Sequence, residues 1–410
     1  MIFDDPVHSA AEMAARQSYG KLLAWLAWQW RDVCAAEDAL SEAFVSALKT
    51  WPRDGVPNSP EAWLLTAAKR NLLVAARRKR LEDDPRVTLL FPELIDRPKD
   101  DQAVPDVRLR LLFVCAHPAI DRPMHSALML QLVLGVDAAR IANAFLLNPS
   151  ALGKRLTRAK AKIRDAGIPF IEPEKRDLSS RIESVLEAIY GAYTINSFSA
   201  PDYEAEGLAE EALFLAQLVS SQVPGDAEVH GLHALLLFCE SRKPARCSTD
   251  GIFVPLYEQD HGLWHMELVH EAESALARAA QLKQTGPFQI EAAIQAAHMQ
   301  CVLDGNARWG QILHLYGRLL ELEPTIGARI GHAIAAAMEA GNAEKGLALL
   351  DAIESSRVAA HQPWWAARAN LLSTTGRHEE ANAAYARAIA LTSNESVQQW
   401  LERKRTGLAG

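Results

Sequence analysis

The sequence lacks the features that mark membrane, secreted and disulfide-stabilised proteins. No stretch approaches the ~18 consecutive apolar residues of a membrane-spanning helix, and the first residues, MIFDDPVHSAAEMAARQ, lack the basic-then-apolar order of a signal peptide. The five cysteines follow no paired spacing, which favours reduced thiols over a disulfide framework. We therefore expect a cytoplasmic protein with no membrane partner.

Common signatures of catalysis are also missing. The chain has no glycine-rich phosphate loop, no nucleophile elbow and no His-Glu-x-x-His motif. The segment DHGLWHMELVHEAE places His261 and His265 four residues apart, followed by His270 and Glu271, which is one possible metal-ligand set. Cys115 and His117 are too few for a zinc site. We expect no cofactor, no metal and no enzymatic activity; a metal-dependent enzyme is the alternative.

Charge is distributed unevenly along a chain of otherwise ordinary globular composition. The protein has 410 residues, 49% of them hydrophobic and 23% charged, a length typical of two to four domains. Residues 1–168 hold 24 Lys or Arg against 20 Asp or Glu, a balance of +4, whereas residues 169–410 hold 19 against 31, a balance of -12. The first part suits a polyanion such as nucleic acid, which the second part would repel.

Helical periodicity predicts an all-α fold, with almost no alternating β-branched runs. We predict helices at 9–29, 35–50, 60–81, 107–116, 122–134, 137–146 and 150–165. The proline- and glycine-rich stretch WPRDGVPNSP should interrupt the helices, with Ser59 as N-cap and Pro60 at the first helical position. The predicted domains are 1–81, a linker at 82–106, a second helical domain at 107–168 and helical hairpins at 174–410.

The C-terminal part contains a repeat with a period of 34 to 35 residues. Gly341 and Gly376 recur in one slot, and three further pairs recur in others: Gly346 and Ala381, Leu350 and Tyr385, Ile353 and Ala388. With Tyr316, Leu322, Pro324 and Trp365, these positions follow the tetratricopeptide pattern. Stacked repeats of this kind leave a concave surface for a protein or peptide ligand.

The segment NPSALGKRLTRAKAKIR, residues 148–164, holds six Lys or Arg residues and no acid. A helix from Asp137, a short Asn-Pro-Ser break and a basic helix beginning at Ser150 predict a helix-turn-helix. The second helix of such a motif enters the major groove, so the candidate DNA contacts are Ser150, Lys154, Arg155, Arg158, Lys160 and Lys162. Gly153 inside this helix predicts a close approach to DNA or to a partner helix. The alternative is a solvated basic face on a bundle helix.

A second basic run lies on the predicted helix 60–81, which has no acid between Leu64 and Leu81. Lys69 and Arg70 precede Arg77 and Arg78 by about two turns, so cations extend over roughly 12 Å at 1.5 Å per residue. Such a face suits a nucleic-acid backbone. Trp63, one turn earlier, is either a core residue or a stacking platform for an unpaired base.

The order of these segments resembles the extracytoplasmic-function group of bacterial sigma factors. The resemblance is carried by AEDALSEAF, WPRDGVPNSPEAWLLTAAKRN, RRKR, a linker and RLTRAKAKIR, in that order. Further segments, RLRLLFVCAHPAI, ARIANAFL, RLTRAKAKIRDAGIPF and VPLYEQDHGLWHMELVHEAE, are similar to the subgroup with a long C-terminal helical extension. The linker is longer than in compact members, and the turn NPSAL lacks the Glu and Thr common there.

The resemblance implies a protein that binds core RNA polymerase and promoter DNA, without catalysis of its own. It assigns polymerase binding to the acidic helix, through Glu37, Asp38, Glu42 and Phe44. It assigns capture and melting of the minus-ten element to Arg53, Asp54, Asn58, Trp63, Lys69, Arg70, Asn71, Arg77 and Arg78. The basic helix from Ser150 would read the minus-thirty-five element as duplex.

Two other interpretations remain open. The chain is alternatively a stand-alone helix-turn-helix regulator, or a repeat scaffold whose basic runs are incidental. The acidic C-terminal part has three possible roles in a sigma factor: masking the basic faces, docking on polymerase, or sensing a regulator. The resemblance favours a role within the chain itself, without a separate anti-sigma protein.

Overall fold

The computed structural model describes residues 6–83, 106–145, 147–171, 173, 175–198 and 207–409. Within these ranges every regular element is a helix, apart from one isolated β-bridge between Cys247 and Phe253. The predicted all-α class is therefore confirmed. All five cysteines are free thiols, and no described helix is long and apolar enough to cross a membrane. The chain divides into two compact units, Met1–Ala192 and Tyr193–Gly410.

The first unit begins with three helices that pack on one another, α1 (Pro6–Trp30), α2 (Val33–Asp54) and α3 (Pro60–Asp83). Asp32 caps α2 by accepting a hydrogen bond from the Ala35 amide at 3.1 Å. Fully buried leucines from all three helices, Leu22, Leu26, Leu40 and Leu64, form the core between them. Most of the predicted linker, residues 84–105, lies outside the described residues.

One prediction about this region is wrong. WPRDGVPNSP was expected to interrupt the helices from Trp51, but α2 continues to Asp54 with Pro52 inside it. Trp51 is only 1% exposed, and burying its ring extends the helix by a turn. Pro52 lacks the amide hydrogen that would bond to the Leu48 carbonyl. Leu48 lies on the exposed side of the helix, where water can supply this hydrogen bond instead. The helix ends at Gly55, whose φ of 83° favours glycine.

The apolar helix α4 (Arg108–Cys115) packs on α1, and the remaining helices of this unit follow it in the chain. They are a 3-10 turn (Arg122–Met124), α5 (His125–Leu132), α6 (Ala138–Ala144), α7 (Pro149–Asp165) and the start of α8 (Lys175–Phe198). The single helix predicted at 122–134 is thus divided into a 3-10 turn and α5, and α6 ends two residues earlier than predicted. Leu111, Leu112 and Phe113 are buried, which explains why α4 lacks a polar face.

Helix α8 packs with the helices before it as far as Ala192. His125 joins the two, with its Nδ1 atom 3.0 Å from the Ser184 hydroxyl and its Nε2 atom 3.0 Å from the Ile120 carbonyl. Burial lowers the pKa of His125, and the neutral ring can donate from Nε2 to the Ile120 carbonyl while Nδ1 accepts from the Ser184 hydroxyl. Arg122 also forms an ion pair with Glu183 at 2.9 Å. The first turns of the predicted C-terminal domain therefore belong structurally to the first unit.

The second unit is a succession of α-helices, most of them joined by short turns. They are α9 (Leu208–Gln222), α10 (Ala227–Ser241), α11 (Met266–Gln281), α12 (Pro287–Asp304), α13 (Trp309–Leu322), α14 (Ile326–Ala340), α15 (Ala343–Asp351), α16 (Ser355–Val358), α17 (Gln362–Thr374), α18 (His378–Ala390) and α19 (Glu395–Thr406). Gly341 and Gly376, which the sequence places in one repeat slot, both follow the first helix of a hairpin with positive φ values of 58° and 76°. Left-handed glycines are common helix terminators, so the two turns share one mechanism.

The segment between α10 and α11, whose regular elements are three short 3-10 turns, ties distant parts of this unit together. The hydroxyl of Tyr257 lies 2.6 Å from His298 Nδ1 on α12. Glu258 accepts a hydrogen bond from Lys404 on α19 at 3.0 Å, and Phe253 packs edge-on against Trp400, with ring centroids 5.6 Å apart. These contacts join α12 and α19 to the segment FVPLYEQDHGLWH, residues 253–265.

Candidate nucleic-acid interface

The basic helix α7 is built so that one stripe is buried and the rest faces outward. Its N-terminus is capped by Asn148, whose side chain accepts a hydrogen bond from the Ala151 amide at 3.1 Å, and Pro149 fits the first helical position. The inner stripe consists of Leu152, Leu156, Ala159 and Ile163, at the spacing of an amphipathic helix. The polar residues between them are therefore displayed together.

Most predicted duplex contacts on α7 are exposed. Lys154, Arg155, Arg158 and Lys162 all face solvent. Lys160 is the exception, because its side chain is only 13% exposed and its Nζ lies 2.6 Å from Glu37 Oε2 on α2. Arg164 lies 2.9 Å from Asp165, and this hydrogen bond raises the pKa of its guanidinium.

One expectation about the start of α7 is wrong, and one of the two alternatives given for Gly153 is not met. Ser150 was expected to begin the helix, but Asn148 is the N-cap and Ser150 lies exposed within the first turn. Gly153 was expected to permit a close approach, either to DNA or to a partner helix. A Cβ atom added there would meet no atom within 4 Å, so packing within the described protein does not require glycine at this position.

The basic residues of α3 are placed less uniformly. Arg70 and Arg77 are exposed, whereas the Lys69 Nζ lies 4.3 Å above the ring centroid of Trp25 on α1. The Asn71 amide donates a hydrogen bond to the Ala39 carbonyl at 3.1 Å and so joins α3 to α2. The side chain of Arg78 lies outside the described residues.

Trp63 takes part in the packing between α2 and α3. Its ring lies edge-on to that of Trp51, with centroids 5.6 Å apart, and its side chain is half-buried. This geometry fits the core interpretation of Trp63, although part of the ring stays accessible. The other three residues expected near the minus-ten element are exposed: Arg53 and Asp54 lie in the last turn of α2, and Asn58 lies in the connection to α3.

The acidic helix α2 presents two of its three expected acids and an apolar patch that the sequence reasoning missed. Asp38 and Glu42 are exposed, Phe44 is half-buried, and Glu37 is engaged by Lys160. Val45 and Leu48 follow on the exposed side, at 49% and 40% exposure. The helical spacing places Val45 and Leu48 on the same face as Asp38 and Glu42, away from the buried alanines. This spacing is the signal in the sequence that would have identified the patch.

The histidine motif provides no metal site in the described part of the chain. Within that part, no group of three or more His, Cys, Asp or Glu residues is placed to hold a metal ion. His261 instead lies edge-on to Trp264, with centroids 6.4 Å apart, and His265 precedes α11. Because Trp264 is buried, packing alone accounts for part of this motif.

Comparisons with known proteins agree with the arrangement of the N-terminal helices. Residues 15–82, which cover most of α1, α2 and α3, match the model for sigma-70 region 2. The chain is also 34% identical over 404 residues to the uncharacterized protein R00370 of Rhizobium meliloti (strain 1021), covering 97% of this chain and 94% of that protein. The chain therefore belongs to the same family as this Rhizobium meliloti protein. Sigma-70 region 2 indicates sigma-factor-like binding of RNA polymerase and recognition of promoters.

A second match concerns a part of the chain that follows the region 2 match. Residues 181–280 match a family of unknown function, DUF6596, from within α8 to α11. The match therefore includes Arg181 and Ser184, which contact Phe113 and His125 of the first unit. No solved structure matches the chain.

Proposed function

We propose that this protein is a sigma factor of the extracytoplasmic-function type, which binds core RNA polymerase and directs promoter recognition and melting. The observation that carries the proposal is the match of residues 15–82 to sigma-70 region 2, on three helices that display Asp38, Glu42, Arg70 and Arg77. Acidic and basic surfaces on one small helical unit suit simultaneous binding of a basic protein surface and a nucleic-acid backbone.

Within this proposal, α2 contacts the polymerase through Asp38, Glu42, Phe44 and the neighbouring apolar patch of Val45 and Leu48. Glu37 can join this surface only when Lys160 releases it. Arg53, Asp54 and Asn58 would hold a base of the minus-ten element, and Arg70 and Arg77 would follow the melting strand. Trp63 and Asn71 support this surface through their packing and hydrogen bonding.

The helices α6 and α7 act as a helix-turn-helix that reads the minus-thirty-five element. Four of the predicted cationic contacts on α7 are exposed, with no acid before Asp165, and they support this role because phosphate contacts and base contacts both need accessible donors. Two modest DNA-binding modules in one chain gain affinity when polymerase holds both at the correct separation. No catalytic group is required of the sigma factor itself.

The second unit supports activity from within the same chain. The repeat slots in α14–α18 are consistent with a tetratricopeptide-like array: Ala381, Leu350 and Ala388 are fully buried, and a Cβ atom on Gly346 would lie 2.8 Å from that of Ala337. The segment with Tyr257 and Glu258 already occupies surfaces of α12 and α19. A protein or peptide ligand would therefore have to bind elsewhere on the repeats or displace this segment.

Run-off transcription with core RNA polymerase on a randomised promoter library tests the proposed function. We expect transcripts only when the protein and core enzyme are both present, with enriched sequence near positions -10 and -35. Arg70→Ala should reduce transcript yield, and Thr66→Ala, an exposed and uncharged position on the same helix, is the matched control. Specific duplex binding by the protein alone, with no transcription by core enzyme, would instead support a stand-alone regulator.

A further inference from the structure

The second unit contains a cluster of polar side chains where the segment 253–265 meets α12 and the end of α10. Arg242 directly follows α10, and its Nη2 atom donates to Gln295 Oε1 on α12 at 2.7 Å. One turn further along α12, His298 Nδ1 lies 2.6 Å from the Tyr257 hydroxyl. The charge of Arg242 also acts on His298, so these four side chains form one continuous group.

Arg242 is a half-buried cation with no carboxylate at ion-pair distance among the residues that the structure describes. Its Nε atom donates to the Phe238 carbonyl at 3.2 Å. Glu240, two residues earlier, accepts a hydrogen bond from the Tyr193 hydroxyl at 2.8 Å and lies 3.8 Å from Lys243 Nζ. A charge that is partly removed from water is unfavourable unless an opposite charge compensates it.

Arg246 adds a second guanidinium, one short 3-10 turn after Arg242. Its Nη2 atom donates to the Cys239 carbonyl at 2.6 Å, and over the described ranges it too has no carboxylate at ion-pair distance, although the charge of Glu240 acts on it. Burial lowers the pKa of Arg242, and the charge of Arg246 adds to this effect. Residues 169–410 carry a balance of -12, so this pair is a local positive site in an acidic part of the chain.

The cluster also offers neutral donors. Gln295 uses its oxygen for Arg242, which leaves the hydrogens of its amide nitrogen available. Burial, together with the charge of Arg242, lowers the pKa of His298 to about 4, so its ring is neutral near pH 7. The neutral ring can accept from the Tyr257 hydroxyl at Nδ1, which leaves a hydrogen on Nε2. Tyr257 is 47% exposed, so a ligand can reach the cluster from solvent.

The helices that carry these side chains are fixed to each other. Near the start of α10, the Glu228 carboxylate accepts hydrogen bonds from the Phe288 and Gln289 amides of α12, at 2.9 and 3.0 Å. A Cβ atom on Gly231 would lie 2.6 Å from the Gln289 backbone nitrogen, so the two backbones pack closely. Donors that are already held in place lose little freedom when a ligand binds.

We propose that this cluster is a binding site for a small organic anion, whose carboxylate or phosphate oxygens are held by Arg242 together with Gln295, His298 and Arg246. A guanidinium beside neutral donors matches the oxygens of both groups, and its charge repels cations. The bound anion supplies the negative charge that Arg242 lacks. Because the segment 253–265 also contacts α12 and α19, the anion stabilises the second unit. This inference concerns the second unit alone and does not depend on the sigma-factor function.

Arginine labelling of the full-length wild-type protein tests the site without any substitution. Phenylglyoxal modifies accessible guanidinium groups, and mass spectrometry of the digest gives the rate at each arginine. Inorganic phosphate or succinate should slow modification of Arg242 at least threefold, relative to sodium chloride at the same ionic strength. Arg329, exposed on α14, is the internal control and should react at an unchanged rate. Equal rates at Arg242 with both anions and with chloride, or equal slowing at Arg329, would overturn the proposal.

The two probes also identify the ligand class. Protection by phosphate alone assigns a phosphate ester, protection by succinate alone assigns a carboxylate, and protection by both assigns a site for either oxyanion.

Calorimetric titration of variants with the protecting anion is the second measurement. Arg242→Gln should weaken binding roughly tenfold or more, because it removes a charge-assisted contact, whereas Arg329→Gln should bind as the wild type does. Circular dichroism without the anion shows whether each variant is folded. If Arg242→Gln fails to fold, the labelling of the wild type decides the question. Equal affinities of two folded variants would overturn the site, and run-off transcription by the wild type would still test the sigma-factor function separately.

Discussion

The two basic helices of this protein, α3 and α7, use their charged residues differently. On α7, four of the five predicted cationic contacts are exposed, and only Lys160 is engaged by another helix. On α3, Lys69 lies over Trp25, and Asn71 is hydrogen-bonded to α2. The difference follows from packing: α3 lies against both α1 and α2, whereas α7 buries a single narrow stripe. The two helices have a similar density of charge, but that density predicts solvent-exposed side chains more reliably on α7 than on α3.

The largest expected effect tests how far the proposed DNA-binding surface of α3 depends on the core beneath it. Trp51→Ala should lower the free energy of unfolding by about 3–5 kcal/mol, because it removes a buried ring that packs against Trp63. Urea unfolding followed by circular dichroism measures this loss. Leu48→Ala, an exposed position on the same helix, should change stability by no more than about 0.5 kcal/mol. Equal losses would show that the ring is not part of the core.

The next effect concerns how α7 begins. Asn148→Ala should destabilise the first unit by about 1 kcal/mol, because it removes the side chain that caps the Ala151 amide. Ser150→Ala should leave stability almost unchanged, since its exposed hydroxyl is not the cap. Thermal unfolding of both variants distinguishes the two positions. A larger loss for Ser150→Ala would restore the sequence-based assignment of the helix start.

Neighbouring residues on α3 should separate structural from binding roles. Asn71→Ala should cost roughly 1 kcal/mol of stability through loss of the hydrogen bond to the Ala39 carbonyl. Arg70→Ala should leave stability unchanged but weaken retention of single-stranded DNA by the polymerase complex. Chemical unfolding and a fluorescence-based strand-binding assay measure the two quantities. If Asn71→Ala changed DNA binding without changing stability, Asn71 would have a binding role and not a structural one. The contrast drawn between α3 and α7 would then be wrong.

The smallest effect is expected for single cations of α7. Arg155→Ala and Arg158→Ala should each flatten the log-log salt dependence of promoter binding by ~0.9, the loss of about one phosphate contact. Fluorescence anisotropy of the polymerase complex with promoter duplex, measured over a range of salt concentrations, gives this slope. Thr157→Ala, which lies between them with its hydroxyl bonded to the Gly153 carbonyl, is the control. Unchanged slopes for both arginine variants would show that α7 does not contact the DNA.

The sequence alone predicted the elements of this molecule better than their boundaries. Helical periodicity gave the all-α class and the existence of α1, α2, α3 and α7, because apolar spacing within one helix is a local property. Pro52 misled the prediction, since its local preference to end a helix was overridden by burial of Trp51. The membership of α8 in the first unit was also invisible, because it depends on contacts such as that of His125 with Ser184.

By itself, the sequence determined the helical class, the unequal charge of the two parts and the positions of both basic runs. Tertiary structure decided which of those charges are displayed. Lys69 meets Trp25, and Lys160 meets Glu37, only because helices far apart in the chain pack side by side. Local periodicity specifies which face of a helix is apolar, but the partner of a charged side chain depends on distances that only the folded chain establishes.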